Sequence, residues 1–251
     1  MRVLVAAPHP DDETLGAGGT ILKMLAEGHE VYWVNFTAML NPHLFSEETV
    51  KRRNKQLREI EDFYHFTGVY HLNMPTTELE SIDSGEAIGK VSKVFREVEP
   101  ELVILPDYND AHSDHKRVFD WCYACCKVFR FPSVKQIMTM QIISETDFGG
   151  PSDPFRPNYY IDITDYMDGK IEAMKIYDTE LGDPPFPRSI QNIKAQAMLN
   201  GAGGGGKICG GIQADQMYRK VERGLYEKSI SNRCGWIYRQ SSHGESAGEG
   251  L

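Results

Sequence analysis

The chain lacks an excess of basic charge, a long apolar run and a cysteine framework, and each absence removes a class of protein. Lys and Arg number 27 against 36 Asp and Glu, a formal net charge of −9. That balance argues against a nucleic-acid partner, because phosphate neutralisation needs a basic face. No stretch approaches the roughly 18 consecutive apolar residues of a membrane helix. The opening MRVLVAAPHPDDE turns acidic after a short apolar run, whereas a secretory leader needs a longer apolar core and a small-residue cleavage site. A cytoplasmic protein is therefore expected. The cysteines are five, an odd count: Cys122, Cys125 and Cys126 crowd one segment, while Cys209 and Cys234 lie far away. Without framework spacing they read as reduced thiols. The CxxCC run has no second CxxC and falls in a helical-looking stretch, so it reads as core rather than as a metal site.

What is present is an ordinary globular composition, 41% hydrophobic and 25% charged over 251 residues. That is enough for one large domain or two small ones. Strand and helix signals alternate. Residues 2–7, 31–37, 68–72 and 101–106 read as strands, with two further strands at 136–144 and 159–163. Helices are expected over 14–27, 46–66 and 85–98, and from about 115 to 129, the second capped by Ser46. This β-α-β-α order predicts an α/β fold: a Rossmann-like three-layer sandwich with a mostly parallel sheet and helices on both faces. Sites in such sheets lie beyond the carboxyl ends of the strands. Both polar clusters of interest fall there, His9 behind the first strand and His112 and His115 behind the fourth.

His9, Asp11, Asp12 and Glu13 lie within five residues, and Pro8 and Pro10 hold the backbone around His9 extended. A neutral imidazole and a carboxylate from one strand end can reach the same divalent cation. Zinc accepts that mixture and in catalytic sites keeps a position for water beside three protein ligands. Of two adjacent aspartates in extended chain, one can ligate while the other addresses the water. His112-Ser113-Asp114-His115 supplies a further histidine, with Asp114 able to orient a ring through its second nitrogen. Helix capping by the acidic turn is the competing explanation; the pairing of two ligand-rich clusters at one sheet edge favours a metal.

The stretch PHPDDETLGAGGTILKMLAEGHEV also resembles the signature of the LmbE-like (PIG-L) zinc-dependent N-acetylglucosaminyl deacetylases. The family's HPDH motif appears as HSDH at 112–115, with Ser113 in place of proline. FRPNYYIDIT at 155–164, KIEAMKIY at 170–177 and PRSIQNIKAQA at 187–197 look familial too, so the resemblance covers about residues 1–200. It implies His9, Asp12 and His115 as metal ligands and Asp11 as general base. It further implies that His112, protonated, steadies the oxyanion or protonates the leaving amine, with Asp114 orienting His112. Zn2+, one per chain, is the implied cofactor, with Fe2+ the other candidate. The implied activity is removal of the N-acetyl group from an N-acetylglucosamine-containing small molecule or glycoconjugate; an amidase acting on another acylated amine or thiol conjugate is the runner-up. Arg53, early in the second helix, is the residue expected to contact the sugar or its acidic substituent, against the alternative of an exposed basic face. His29, His43, His65 and His71 read as structural or surface positions.

Residues 201–251 form a divergent segment after the deacetylase domain. The family usually continues with a segment resembling RGAEAG-KYAEAF-LIR where this chain reads NGAGGGGKICGGIQADQMY. One codon string for residues 208–218, read one base later, encodes YAEAFKLIRC, so the sequence beyond about Gly203 reads as frame-shifted; the gene's nucleotide sequence decides this. Two rivals remain. A dinucleotide-binding protein would need GxGxxG where this chain has GAGG behind an acidic turn, and a two-metal phosphoesterase would need more bridging carboxylates. No membrane span is expected, and a homo-oligomer is left open.

Overall fold

Strand β1 (Arg2–Ala7) alternates its side chains between two apolar layers, and that alternation organises the molecule. Val3, Val5 and Ala7 face one layer with Leu15, Ile21, Ile171, Met174 and Ile193. Leu4 and Ala6 face the other with Val91, Phe95, Val118, Trp121 and Cys122. A strand buried on both faces reads as a continuous apolar run rather than a polar/apolar alternation, which is why RVLVAA looks uniform. The computed structural model describes the backbone of residues 1–220 and 226–229, and side chains through residue 211.

The elements follow in the order β1, α1 (Asp12–Ala26), β2 (Glu30–Ala38), α2 (Glu47–Tyr64), β3 (Gly68–Pro75), α3 (Ser84–Val98), β4 (Leu102–Leu105), α4 (Ser113–Cys125) and β5 (Gln136–Met140). After these come β6 (Tyr159–Asp162), α5 (Met167–Ile176), α6 (Ile190–Gly204), β7 (Cys209–Lys220) and β8 (Tyr226–Ser229). The sheet order is β3-β2-β1-β4-β5-β7-β6, with β8 beside β7. The first five strands are parallel, and β7 runs antiparallel to β5 and β6. This is the expected α/β architecture, a five-stranded parallel sheet flanked by helices.

The chain lays β2 and β3 to one side of β1, then returns to place β4 on the other side. The reversal opens a crevice at the carboxyl ends of β1 and β4, the place where such sheets bind ligands. Residues 8–12 and 106–112 are the loops that leave those two strand ends.

Several boundaries differ from the sequence expectation for local reasons. Helix α1 begins two residues early, because Thr14 and Leu15 already donate to the Asp11 carbonyl. Helix α4 begins at Ser113 rather than about 115, since the His112 ring accepts from the Asp114 N–H and acts as the cap. Ser46 caps α2 as expected, accepting from the Thr49 N–H at 3.1 Å. The glycine pair of α1 serves packing: a Cβ on Gly19 would stand 2.6 Å from Cδ1 of Ile163. Cys122, Cys125 and Cys126 are buried in the apolar layer shared by α3 and α4. Helix α6 continues to Gly204, whereas most of the divergent 201–251 segment, with Cys234, Trp236 and the polar tail 241–251, lies outside the described side chains. No helix among the described residues is long and apolar enough to cross a membrane.

Candidate active site

The PHPDDE segment is anchored before it turns. The Pro8 carbonyl accepts from Thr37 on β2, from its N–H at 3.1 Å and its hydroxyl at 2.8 Å. The Pro10 carbonyl accepts from Arg53 on α2 at 3.0 Å. Asp11 then adopts φ 129° and ψ −28°, a strained conformation for a residue with a Cβ that costs on the order of 1–3 kcal/mol. That twist sends the two aspartates apart. Asp12 points at His9 and His115, and Asp11 points at Arg188.

Three atoms converge. His9 Nδ1 and Asp12 Oδ2 are 3.3 Å apart, His115 Nε2 and Asp12 Oδ2 3.1 Å, and His115 Nε2 and His9 Nδ1 3.3 Å. Zinc held tetrahedrally by nitrogens at about 2.0–2.1 Å sets its donors about 3.3 Å apart, so these edges fit the ion. The other carboxylate oxygen, Asp12 Oδ1, is buried without a hydrogen-bond partner among the described residues. A buried polar atom left in that state is costly and suits a cation. The site can hold a divalent metal.

The outer nitrogens of both histidines are held by carboxylates. Asp110 Oδ2 lies 2.9 Å from His115 Nδ1, and both residues are buried. Asp114 Oδ2 lies 3.0 Å from His9 Nε2, and the carboxylate is itself fixed by the N–H groups of Thr77 and Leu79. Such partners fix ring orientation and raise ligand basicity. Burial opposes the protonated form of His9, but hydrogen bonds to Asp114 and Asp12 outweigh it and lift its pKa to about 9. In His115 burial is likewise overcome by Asp12 and Asp110, and the pKa is raised well above the usual value. A pocket that draws protons to inward-facing nitrogens draws a cation to the same place.

Two expectations are revised here. Asp114 orients His9 rather than His112: its backbone N–H, not its carboxylate, meets His112, donating to Nδ1 at 3.1 Å. That bond puts the proton of the neutral ring on Nε2. His112 also has its pKa lowered, by burial first and then by the neighbouring His9 and His115, so the neutral ring, not the protonated one, is favoured. Its centroid lies 4.6 Å from that of His9.

Asp11 has its pKa pushed well up by burial and by the Asp12 charge, against the pull of Arg188. Arg188 Nη1 donates to Asp11 Oδ2 at 2.7 Å, while its other donors reach Glu145 at 2.9 Å and the Ser144 hydroxyl at 2.8 Å. Behind the metal cluster, Glu13 accepts from Tyr177 at 3.0 Å, and burial raises its pKa to about 7. Arg53 is buried, not part of an exposed basic face; it pairs with Glu180 and borders the same cleft as His9, Asp11 and His112. Arg188, Asp110 and Glu13's partner Tyr177 were not singled out from the sequence. Arg188 and Tyr177 fall in stretches noted as familial, PRSIQNIKAQA and KIEAMKIY, whereas Asp110 lies two residues before HSDH and carries no local signal.

The fold and this cluster define an α/β architecture, a parallel sheet flanked by helices, whose strand-end crevice can bind a divalent metal. Comparison with known proteins shows what the chain is similar to. A model of PIG-L, described as GlcNAc-PI de-N-acetylase, matches residues 4–126, the span containing both ligand-rich loops. The diacetylchitobiose deacetylase of Thermococcus kodakarensis is 23% identical over 224 residues, 84% of this chain and 82% of that one. A probable N-acetyl-alpha-D-glucosaminyl L-malate deacetylase 2 of Bacillus cereus is 31% identical over 127 residues, 45% of this chain and 56% of that one. The solved N,N'-diacetylchitobiose deacetylase of Pyrococcus horikoshii superposes with a TM-score of 0.69 at 24% identity, over 85% of this chain and 83% of that one; a likeness at that identity establishes the fold. Residues 4–126 match the PIG-L/LmbE-like family of GlcNAc de-N-acetylases, a deacetylase family whose members hydrolyse linear amide bonds (EC 3.5.1.-).

Proposed function

We propose that this protein is a zinc-dependent N-deacetylase that hydrolyses the acetamide of an N-acetylglucosamine-containing small molecule or glycoconjugate. The observation that carries the reading is the convergence of His9 Nδ1, Asp12 Oδ2 and His115 Nε2 within 3.1–3.3 Å, on a cleft whose wall also holds Asp11 and His112. Bound zinc supplies an acidified water and a Lewis acid for the acyl carbonyl.

The remaining chemistry belongs to side chains of this chain. Asp11, whose carboxyl is held above the usual carboxylate range by burial and the Asp12 charge, takes the proton of the attacking water, and the Arg188 contact holds its carboxylate in one orientation. His112 offers its Nε2–H to the oxyanion that develops on the acyl carbonyl oxygen, a donor role worth about 3 kcal/mol in comparable sites. Asp11 returns its proton to the departing amine, so water is split between acetate and amine. Asp114 and Asp110 hold His9 and His115 in register. Arg53 has five N–H donors; Pro10 and Glu180 engage it on one side, and the remaining donors serve sugar hydroxyls.

Acetate release from N-acetylglucosamine and N,N'-diacetylchitobiose by the zinc-loaded protein tests this. Stoichiometric zinc with no acetate from any acetylated amino sugar overturns it.

A further inference from the structure

Away from the metal cluster the cleft changes character. One side is walled by Met39, Leu40 and Phe45, from the loop between β2 and α2, and by Val50 and Leu57 on α2. Leu57 also packs against the core, but Leu40 stands 55% exposed. The loop is braced rather than slack. The Asn41 side chain donates to Glu78 at 3.0 Å, and the N–H groups of Leu44 and Phe45 both return to the Asn41 carbonyl at 3.1 Å. Apolar side chains held towards water on a fixed backbone have lost the burial that would normally reward them. They are continuous with the end of the cleft that holds His9 and Asp11.

The charges lining the cleft tell the same story from the other side. Its acidic residues are Asp11 and Glu180, and its cations are Arg53 and Arg188. Arg53 is engaged by Glu180 and the Pro10 carbonyl. Arg188 is engaged by Asp11, Glu145 and Glu180 together. A carboxylate or phosphate on the substrate therefore meets no guanidinium among the described lining residues that lacks a carboxylate partner, and it would lie beside two existing carboxylates. The pairing removes the acidic-substituent role that the sequence offered for Arg53.

We infer that the group joined to the acetylated sugar is an uncharged alkyl or aryl aglycone seated on Leu40, Phe45 and Val50, and that acidic aglycones are discriminated against. This rests on the amino-sugar deacetylase reading and adds the class of glycoside to it. Each methylene buried on the wall raises kcat/KM by up to about fourfold.

The test is a series of N-acetylglucosaminides on the zinc-loaded protein: methyl, butyl, hexyl, phenyl and malyl. The expected result is a rise in kcat/KM of at least about tenfold from methyl to hexyl, with the malyl glycoside no better than methyl. In Leu40→Ser and Phe45→Ala the hexyl-to-methyl ratio falls towards one. A flat alkyl series, or malyl preferred over hexyl, overturns the inference. Calorimetric binding of the corresponding free-amine alkyl glucosaminides separates this inference from the reading beneath it. If no glycoside releases acetate but amine binding tightens with chain length and loses that dependence in both variants, the wall stands and the deacetylase reading falls. If acetate is released and binding ignores chain length, the wall falls alone.

Discussion

Asp110→Asn isolates the part of the metal site that lies one step behind the ion. Asp110 and His115 are both buried, and Oδ2 sits 2.9 Å from Nδ1. Asparagine keeps the size of the side chain and an oxygen acceptor while removing the charge that makes the ring more basic. Loss of such a partner typically weakens metal binding 10- to 100-fold, which is about 1.4–2.7 kcal/mol. The distance and the burial of both residues place this pair at the upper end of that range. Zinc affinity measured by competition with a chromophoric chelator reads the effect directly, with thermal denaturation of the metal-free variant confirming that it folds. Asp12→Ala, which removes a ligand, should lose more affinity than Asp110→Asn. A folded Asp110→Asn protein that binds zinc like wild type would refute the placement of His115 Nε2 in the ligand set.

Asp11→Asn is expected to abolish acetate release while leaving zinc content nearly unchanged, whereas Asp12→Ala should lower zinc itself; equal zinc loss in both, by metal analysis, removes the division of labour between them. His9 has a folded pKa of about 9 against 6.5 unfolded, so its proton stabilises the metal-free protein fully below about pH 6.5 and less as pH rises through 9. The metal-free protein should therefore lose up to about 3 kcal/mol of stability across pH 6.5–9, and the zinc-loaded protein, whose ring is already deprotonated, should not; parallel denaturant titrations compare the two. Gly19→Ala gains about 1 kcal/mol of helix propensity but drives a methyl to 2.6 Å from Ile163, and overpacking costs about 1–3 kcal/mol. Its melting temperature should fall, while Gly89→Ala, on an exposed helical site with nothing within 4 Å, should raise it by a few degrees.

What the sequence determined by itself is local and periodic. The doubly buried strand RVLVAA, the Ser46 cap and the alternation of strands with amphipathic helices require only neighbours along the chain, and so do two ligand-rich loops predicted at strand ends. Those were enough for the architecture and for the residues that gather at the crevice. What only the tertiary structure decided is which atom meets which. Asp114 lies two residues from His112 in the chain, yet its carboxylate crosses to His9, 105 residues away, because β1 and β4 are adjacent strands. Arg188 reaches Asp11 across 177 residues, a pairing that no spacing rule encodes. The lowered pKa of His112 and the pairing of Arg53 with Glu180 arise from burial and from charges brought together by the fold. Periodicity reports which face of an element is apolar; only the packed sheet fixes the partners of a buried charge, and that pairing sets its chemistry.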